Sequence, residues 1–329
     1  MRPPFLIGAI LICAAVGFSP AARAQPLKQI ATIALPNVAG RIDHLAFDAQ
    51  RRRLFVAALG NDTVEVVDAA SNAHLKSLPG FHEPQGIAVA ADFGAIAVAN
   101  GGTGTLQLLD AETFATRWTV HVGGDADNVR YDAAAKQFYV AAEGGLYPVD
   151  PASGKVARQI KIDGHPESFQ LEAGGTRVFA NLPGVLSSQV VVGDREAEAV
   201  VSRWSSLGCR SNYPMALDEA TMRLFIGCRS PARVAVLDSR SGDVKTSVDA
   251  VGDTDDLFFD AARQRAYVIG GEGFVDVLQR RGDVVERTAR VSTRGGARTG
   301  LWVAATSRLY VAVPARDGQG AETRVFESE

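Results

Sequence analysis

Along most of the chain, an unbroken apolar run is followed by a short polar turn and then by a strand that alternates. The first instance is Leu54 to Ala58, then a Gly-Asn-Asp turn, then Thr63 to Val67, closing on Asp68. The pattern predicts a β-hairpin with a following turn. The centre of the apolar run recurs at Leu54, Ile96, Phe138, Val178, Leu224, Ala266 and Leu309, in steps of 42, 42, 40, 46, 42 and 43 residues. A period of this length, with room for four short strands A to D per copy, predicts an all-β, seven-bladed β-propeller. The 3.6-residue periodicity of an amphipathic helix is missing throughout.

In the first copy, strand A is expected over Ile42 to Asp48, B over Leu54 to Ala58, C over Thr63 to Asp68 and D over His74 to Leu78. The fourth copy is less regular, because Leu182-Pro183-Gly184 lengthens the turn before Gln189. The seventh has only three strands, Leu301 to Ala304, Arg308 to Val313 and Glu322 to Phe326. Its missing fourth strand is expected at the other end of the chain, in Ile30 to Leu35. Pairing there closes the last blade and removes the open edge that a ring would otherwise expose.

Composition adds a compartment to this picture. Arg2 precedes an apolar run from Phe5 to Phe18, and Ala22-Arg23-Ala24 supplies a small-x-small cleavage pattern, so residues 1 to 24 read as a secretory signal and 25 to 329 as the propeller. The expected product is periplasmic or secreted, with no membrane span once the signal is removed. The full chain carries 34 basic and 37 acidic residues. A mildly acidic surface argues against nucleic acid as a partner, and the clusters Arg51-Arg52-Arg53 and Arg280-Arg281 read as solvated turns. Two cysteines survive maturation, Cys209 and Cys228, and in an oxidising compartment they are a candidate disulfide, with two separate thiols as the alternative.

Candidate chemistry collects where strand A begins. In an antiparallel blade the D-to-A connections and the B-to-C turns share one face, so the residues 11 and 10 before each apolar centre ring one mouth of the channel. They are Asp43/His44, Gln85/Gly86, Asp127/Asn128, Glu167/Ser168, Tyr213/Pro214, Asp255/Asp256 and Arg298/Thr299. His165 and Asn212 lie beside them, and Glu272 comes from a B-to-C turn. Asp43, His44, Asp127, Asn128, His165, Glu167, Asn212, Asp255, Asp256, Glu272 and Arg298 are therefore the candidate ligand-binding residues. The competing reading is solvated polar residues, with the acids paired to Arg298, Arg210 and Arg229. Asp43, His44, Asp127, Asp255 and Asp256 are the candidate ligands for a divalent metal, since carboxylates suit calcium and imidazole a transition ion. No tight metal motif supports that assignment, and neither a nucleophile elbow nor a phosphate loop is present.

The runs Phe138-Tyr139-Val140-Ala141, Ala97-Val98-Ala99-Asn100 and Arg308-Leu309-Tyr310-Val311, with following strands that end in Asp68, Asp110, Asp150 and Asp238, resemble the YVTN-type repeats of the YncE-like propeller family. The resemblance covers the mature chain, implies a ring like that of WD40-type repeats, and brings no shared catalytic set with it. Because the fold presents a rigid face of variable loops and nothing resembles a catalytic set, the expectation is an exported, monomeric binding or scaffold protein whose channel face takes a small-molecule ligand or a periplasmic protein. A lactonase- or lyase-like enzyme, with His44 as base or metal ligand, is the alternative. An accessory role in a periplasmic redox system is a further one, and the sequence has no haem motif of its own.

Overall fold

The computed structural model describes residues 26–329 except Val185 and Ser206; the expected signal segment, 1–24, lies outside the described residues. Seven four-stranded antiparallel sheets make up the fold. The innermost strands of blades 1 to 7 are Leu45–Asp48, Pro84–Ala90, Val129–Asp132, Phe169–Leu171, Arg210–Asp218, Thr254–Asp260 and Gly300–Val303. Among the described residues the helical elements are three single 3-10 turns, and no helix is long and apolar enough to cross a membrane.

Strand B reads as a continuous apolar run because both of its faces are covered. In blade 1, Leu54, Val56 and Ala58 pack into the cluster shared with blade 7, while Phe55 and Ala57 pack into the cluster shared with blade 2. Seven such clusters fill the seven junctions between blades, so the core is a ring of equal parts.

The N-terminal strand Leu27–Ala34 pairs antiparallel with Glu322–Ser328 and is the outer strand of blade 7, as the incomplete seventh copy predicts. Its Leu27 and Ile33 are fully buried, Leu27 against Tyr267 and Phe326 of the junction between blades 6 and 7. The strand begins three residues earlier than the sequence pattern suggests, and a register shift between Gln29 and Ala31 keeps both ends of the pairing in step.

Cys209 and Cys228 form a disulfide with a Cα–Cα separation of 6.0 Å, which ties the start of blade 5 to its second strand.

Candidate functional site

Strand A does not begin cleanly. In blade 1 the Asp43 amide donates to the Ala57 carbonyl at 2.7 Å, and the Ala57 amide donates to the His44 carbonyl at 3.0 Å. Two residues thus oppose one, which is a β-bulge. The same pattern joins Asp127 and Asn128 to Ala141, and Glu167 and Ser168 to Asn181. In blades 2, 5 and 6 the register shifts at the equivalent place. A bulge interrupts the alternation of a strand, and here it lets consecutive side chains such as Asp43 and His44 both reach the channel.

The result is a polar bowl at one channel mouth, with a volume of about 370 Å³. Its wall carries both signs of charge, with Asp255 set among the arginines. Arg41, Arg229 and Arg298 come from blades 1, 5 and 7; Glu83, Asp125, Asp127 and Glu167 come from blades 2 to 4 and face them across the opening. Arg229 donates to Asp255 at 2.6 Å and lies over the Tyr213 ring, 3.7 Å from its centroid. Arg298 donates to Asp253 at 3.1 Å, and Arg41 lies 2.9 Å from Asp43. Over blade 4 a shallower groove of about 640 Å³ continues from the bowl and shares His165, Glu167 and Tyr213 with it. The long turn after Leu182 forms its outer side.

His44 is the floor. Its Nδ1 lies 3.3 Å from Asp256, and its Nε2 lies 3.0 Å from the Asn128 amide and 3.5 Å from Asp43. Burial alone would lower the imidazole, but Asp256, Asp43 and Asp127 outweigh it and raise it to about 10. His44 is therefore an imidazolium at neutral pH, with both ring N–H groups donating. The Asn128 amide must then turn its oxygen toward Nε2, an orientation that also gives its buried, otherwise unpartnered Oδ1 a donor. Beneath this floor the channel widens again into a chamber of about 380 Å³ with apolar walls that include Phe47, Val89, Phe258 and Leu301.

Burial shifts several of the bowl acids upward in spite of nearby cations. Asp43 is fully buried, and burial pushes it up to about 6 against the pull of His44 and of Arg41 at 2.9 Å. Burial, with Asp127 close by, pushes Glu167 up to about 8. Burial also raises Asp255, although Arg229 and Arg41 oppose the shift. His165 is raised to about 9: burial lowers it, and Asp127, Glu167 and Asp125 more than compensate.

Of the eleven residues singled out from the sequence, Asp127, His165, Glu167, Asp255 and Arg298 line the bowl; His44 and Asn128 lie at its floor, Asp256 lines the chamber beneath, and Asp43 is fully buried beside Arg41 and His44. Asn212 does not join them. It is fully buried and donates to Asn181 Oδ1 at 2.9 Å and to the Gln189 carbonyl at 2.8 Å, tying blade 5 to blade 4. Glu272 is an exposed rim residue that accepts from the Gly252 amide at 3.0 Å and braces a loop. The five residues named for a metal do not converge on one point: Asp256 and Asn128 hold His44, Arg229 holds Asp255, and Asp256 also accepts from the Gly300 amide at 2.8 Å. The three groups whose ligand atoms lie within 4.8 Å of one another are instead Asp127, His165 and Glu167. Arg41 and Leu59 are the members of the wall that the reading of the sequence passed over, and Arg41 is the charged one. It stands 13 residues before Leu54, and the equivalent positions are Glu83, Asp125, His165 and Asp253, so counting two residues further back would have found this upper ring.

No protein-family model matches the chain. Over 126 residues, 38% of the chain, it is 31% identical to the uncharacterized protein YwhL of Bacillus subtilis (strain 168), and the match spans 27% of that relative. Among solved structures, a chain of Kuenenia stuttgartiensis hydrazine synthase superposes with a TM-score of 0.76 at 16% identity, covering 84% of this chain and 93% of that one. A chain of the mitotic checkpoint complex superposes with a TM-score of 0.77 at 11% identity, covering 98% of each. At these identities the likeness is one of fold: the seven-bladed ring, shared between an enzyme and a protein assembly.

Proposed function

We propose that the chain is an exported binding protein of the YncE-like propeller type. Its bowl takes a small polar ligand of mixed charge, with an anionic group toward Arg41, Arg229 and Arg298 and a cationic group toward Asp125, Asp127 and Glu167. The carrying observation is Asp255 Oδ2, a buried acceptor in the wall of the bowl with no hydrogen-bond donor, near Asp43, which is fully buried with Arg41 at 2.9 Å. An unpaired buried acceptor costs about 1–3 kcal/mol, which the donor of a bound ligand would recover. The groove over blade 4 gives an elongated ligand room to leave the bowl. The Cys209–Cys228 disulfide supports an oxidising compartment and hence the export reading.

The test is thermal unfolding of the mature chain against a panel of amino acids, polyamines and dicarboxylates. A ligand at a hundred times its Kd adds about 2.7 kcal/mol, or roughly 5 °C at this size. We expect one chemical class to raise Tm in the wild type and to lose the effect in Arg41→Ala and in Asp255→Asn. If no class shifts Tm, or if the shift survives both substitutions, the bowl is not the site.

A lactonase-like, metal-dependent enzyme is the second reading, and the Asp127, His165 and Glu167 group is what favours it. Turnover of a lactone that depends on added metal and is lost in His165→Ala would move the assignment there.

A further inference from the structure

We propose that Asp127, His165 and Glu167 hold a divalent transition-metal ion on the acidic wall of the bowl. The inference rests on the reading of the bowl as a ligand site and identifies the cationic component of that ligand.

The geometry around His165 carries it. Its Nε2 lies 3.8 Å from Asp127 Oδ2, 3.9 Å from Glu167 Oε1 and 3.9 Å from Asp125 Oδ2. A charged hydrogen bond would bring one of these oxygens to roughly 2.7–2.9 Å. Instead, three carboxylate oxygens surround one imidazole nitrogen at nearly equal distances, all beyond hydrogen-bond range. Atoms that share one ion through bonds of roughly 2.0–2.2 Å sit about 3–3.5 Å apart, so each of these oxygens needs to approach Nε2 by about half an ångström to share an ion with it.

A second, independent feature is Asp127 itself. It is 5% exposed, and its backbone is fixed by the bulge through the Ala141 carbonyl at 2.9 Å. The nearest cationic atoms to its two oxygens are His44 Nε2 and His165 Nε2, each 3.8 Å away, neither close enough to be a hydrogen-bond partner. A carboxylate this deeply buried, grouped at the bowl with an imidazole and the Glu167 carboxyl, offers an oxygen to a shared cation.

The donor set selects the class of ion. One imidazole nitrogen and two carboxylates are too few oxygens for calcium, which takes six to eight, and suit zinc, manganese or ferrous iron. The ion would keep an open side facing Arg41, Arg229 and Arg298, which leaves a place for an anionic fourth ligand.

The experiment uses the mature chain purified without a metal-affinity tag, stripped with chelator and titrated with Zn(II) by calorimetry, alongside the spectrum of the Co(II) form. The wild type should bind one equivalent. His165→Ala and the isosteric Glu167→Gln should each weaken binding about a hundredfold, since loss of even an outer-shell partner costs 10–100-fold; His121→Ala, on an outer strand, should leave it unchanged. Melting curves of each variant report folding separately. No Zn(II) binding by the wild type, or binding unaltered by both substitutions, overturns the site. Repeating the ligand panel in chelator separates the two claims. A ligand shift without metal, in a protein that binds no Zn(II), leaves the bowl reading standing and removes this one, whereas stoichiometric Zn(II) with no organic ligand does the reverse.

Discussion

Carboxylates stand at both ends of the propeller, and the two ends treat them in opposite ways. On the face away from the bowl, the aspartates that end strands A and C turn back onto the chain. Asp48 Oδ1 accepts from the amides of Gln50 and Arg51, Asp132 from Ala134 and Ala135, Asp68 from Ala70 and Ser71, and Asp194 from Glu196 and Ala197. Hydrogen bonds to the charged form hold several of them below the usual carboxylate range: Asp68 through the Ser71 amide first, Asp194 through the Ala197 amide, and Asp150 through the Ser153 hydroxyl. At the bowl, Asp43, Glu167 and Asp255 have no backbone amides turned onto them, and desolvation outweighs the nearby cations and raises them. The same chemical group thus secures turns at one end and stands ready for an external partner at the other. In a repeat fold, uniformity marks what builds the ring, and departure from it marks what the ring presents.

The largest predicted effect tests the ring that carries both ends. Removing residues 26–36 strips Leu27, Ile33 and Leu35 from the core, each 2% exposed or less and each worth about 1.5–3 kcal/mol. It also bares the edge of Glu322–Ser328. Tm by calorimetry should fall by more than about 10 °C at this size. An unchanged Tm would mean that the blade closure contributes nothing.

Next in size is the disulfide. Cys209→Ser with Cys228→Ser releases a loop of 19 residues, which should cost about 3 kcal/mol in a denaturant titration. Asp48→Ala, at the structural end, leaves two backbone amides without their acceptor and should cost about 2 kcal/mol in the same assay.

The pH dependence is smaller and separates the ends by sign. Asp68, Asp150 and Asp194 have lowered folded-state values, so their contribution is present above about pH 4 and is lost as the pH falls further. His44 is raised to about 10, so its contribution is full below pH 6.5 and disappears as the pH rises through 10. Stability should therefore decline on both sides of neutrality, and His44→Gln should flatten the alkaline decline alone. A steep alkaline decline retained in His44→Gln would contradict the imidazolium floor.

Much of this was legible in the chain. The seven apolar centres fix the blade count, and the strand missing after Phe326 points to the N-terminal strand, because each unit must cover both faces of its B strand. The mouth was legible as a set of positions, since Asp43, Asp127 and Asp255 fall at one offset from the repeat centre. Side-chain direction was not. A bulge at the start of strand A breaks the two-residue alternation on which direction is read, so Asn212, one residue from a candidate position, turns inward to Asn181 while His44 turns to the channel. The grouping of Asp127 with His165 and Glu167 joins two blades 40 residues apart, and depends on how neighbouring blades face each other rather than on spacing within either.

The most direct test of the central contrast compares Asp43→Asn with Asp48→Asn in thermal unfolding at pH 7.5 in the presence of chelator. Both aspartates are 0% exposed, and they bracket the same short strand. Because burial raises Asp43 to about 6, its charge opposes folding at this pH, and that opposition lessens as the pH falls from 6 toward 4. Asp43→Asn should therefore hold or raise Tm, while Asp48→Asn should lower it by several degrees. If Asp43→Asn lost as much as Asp48→Asn, the acids of the bowl would be structural after all, and the reading of that face as a binding site would fail.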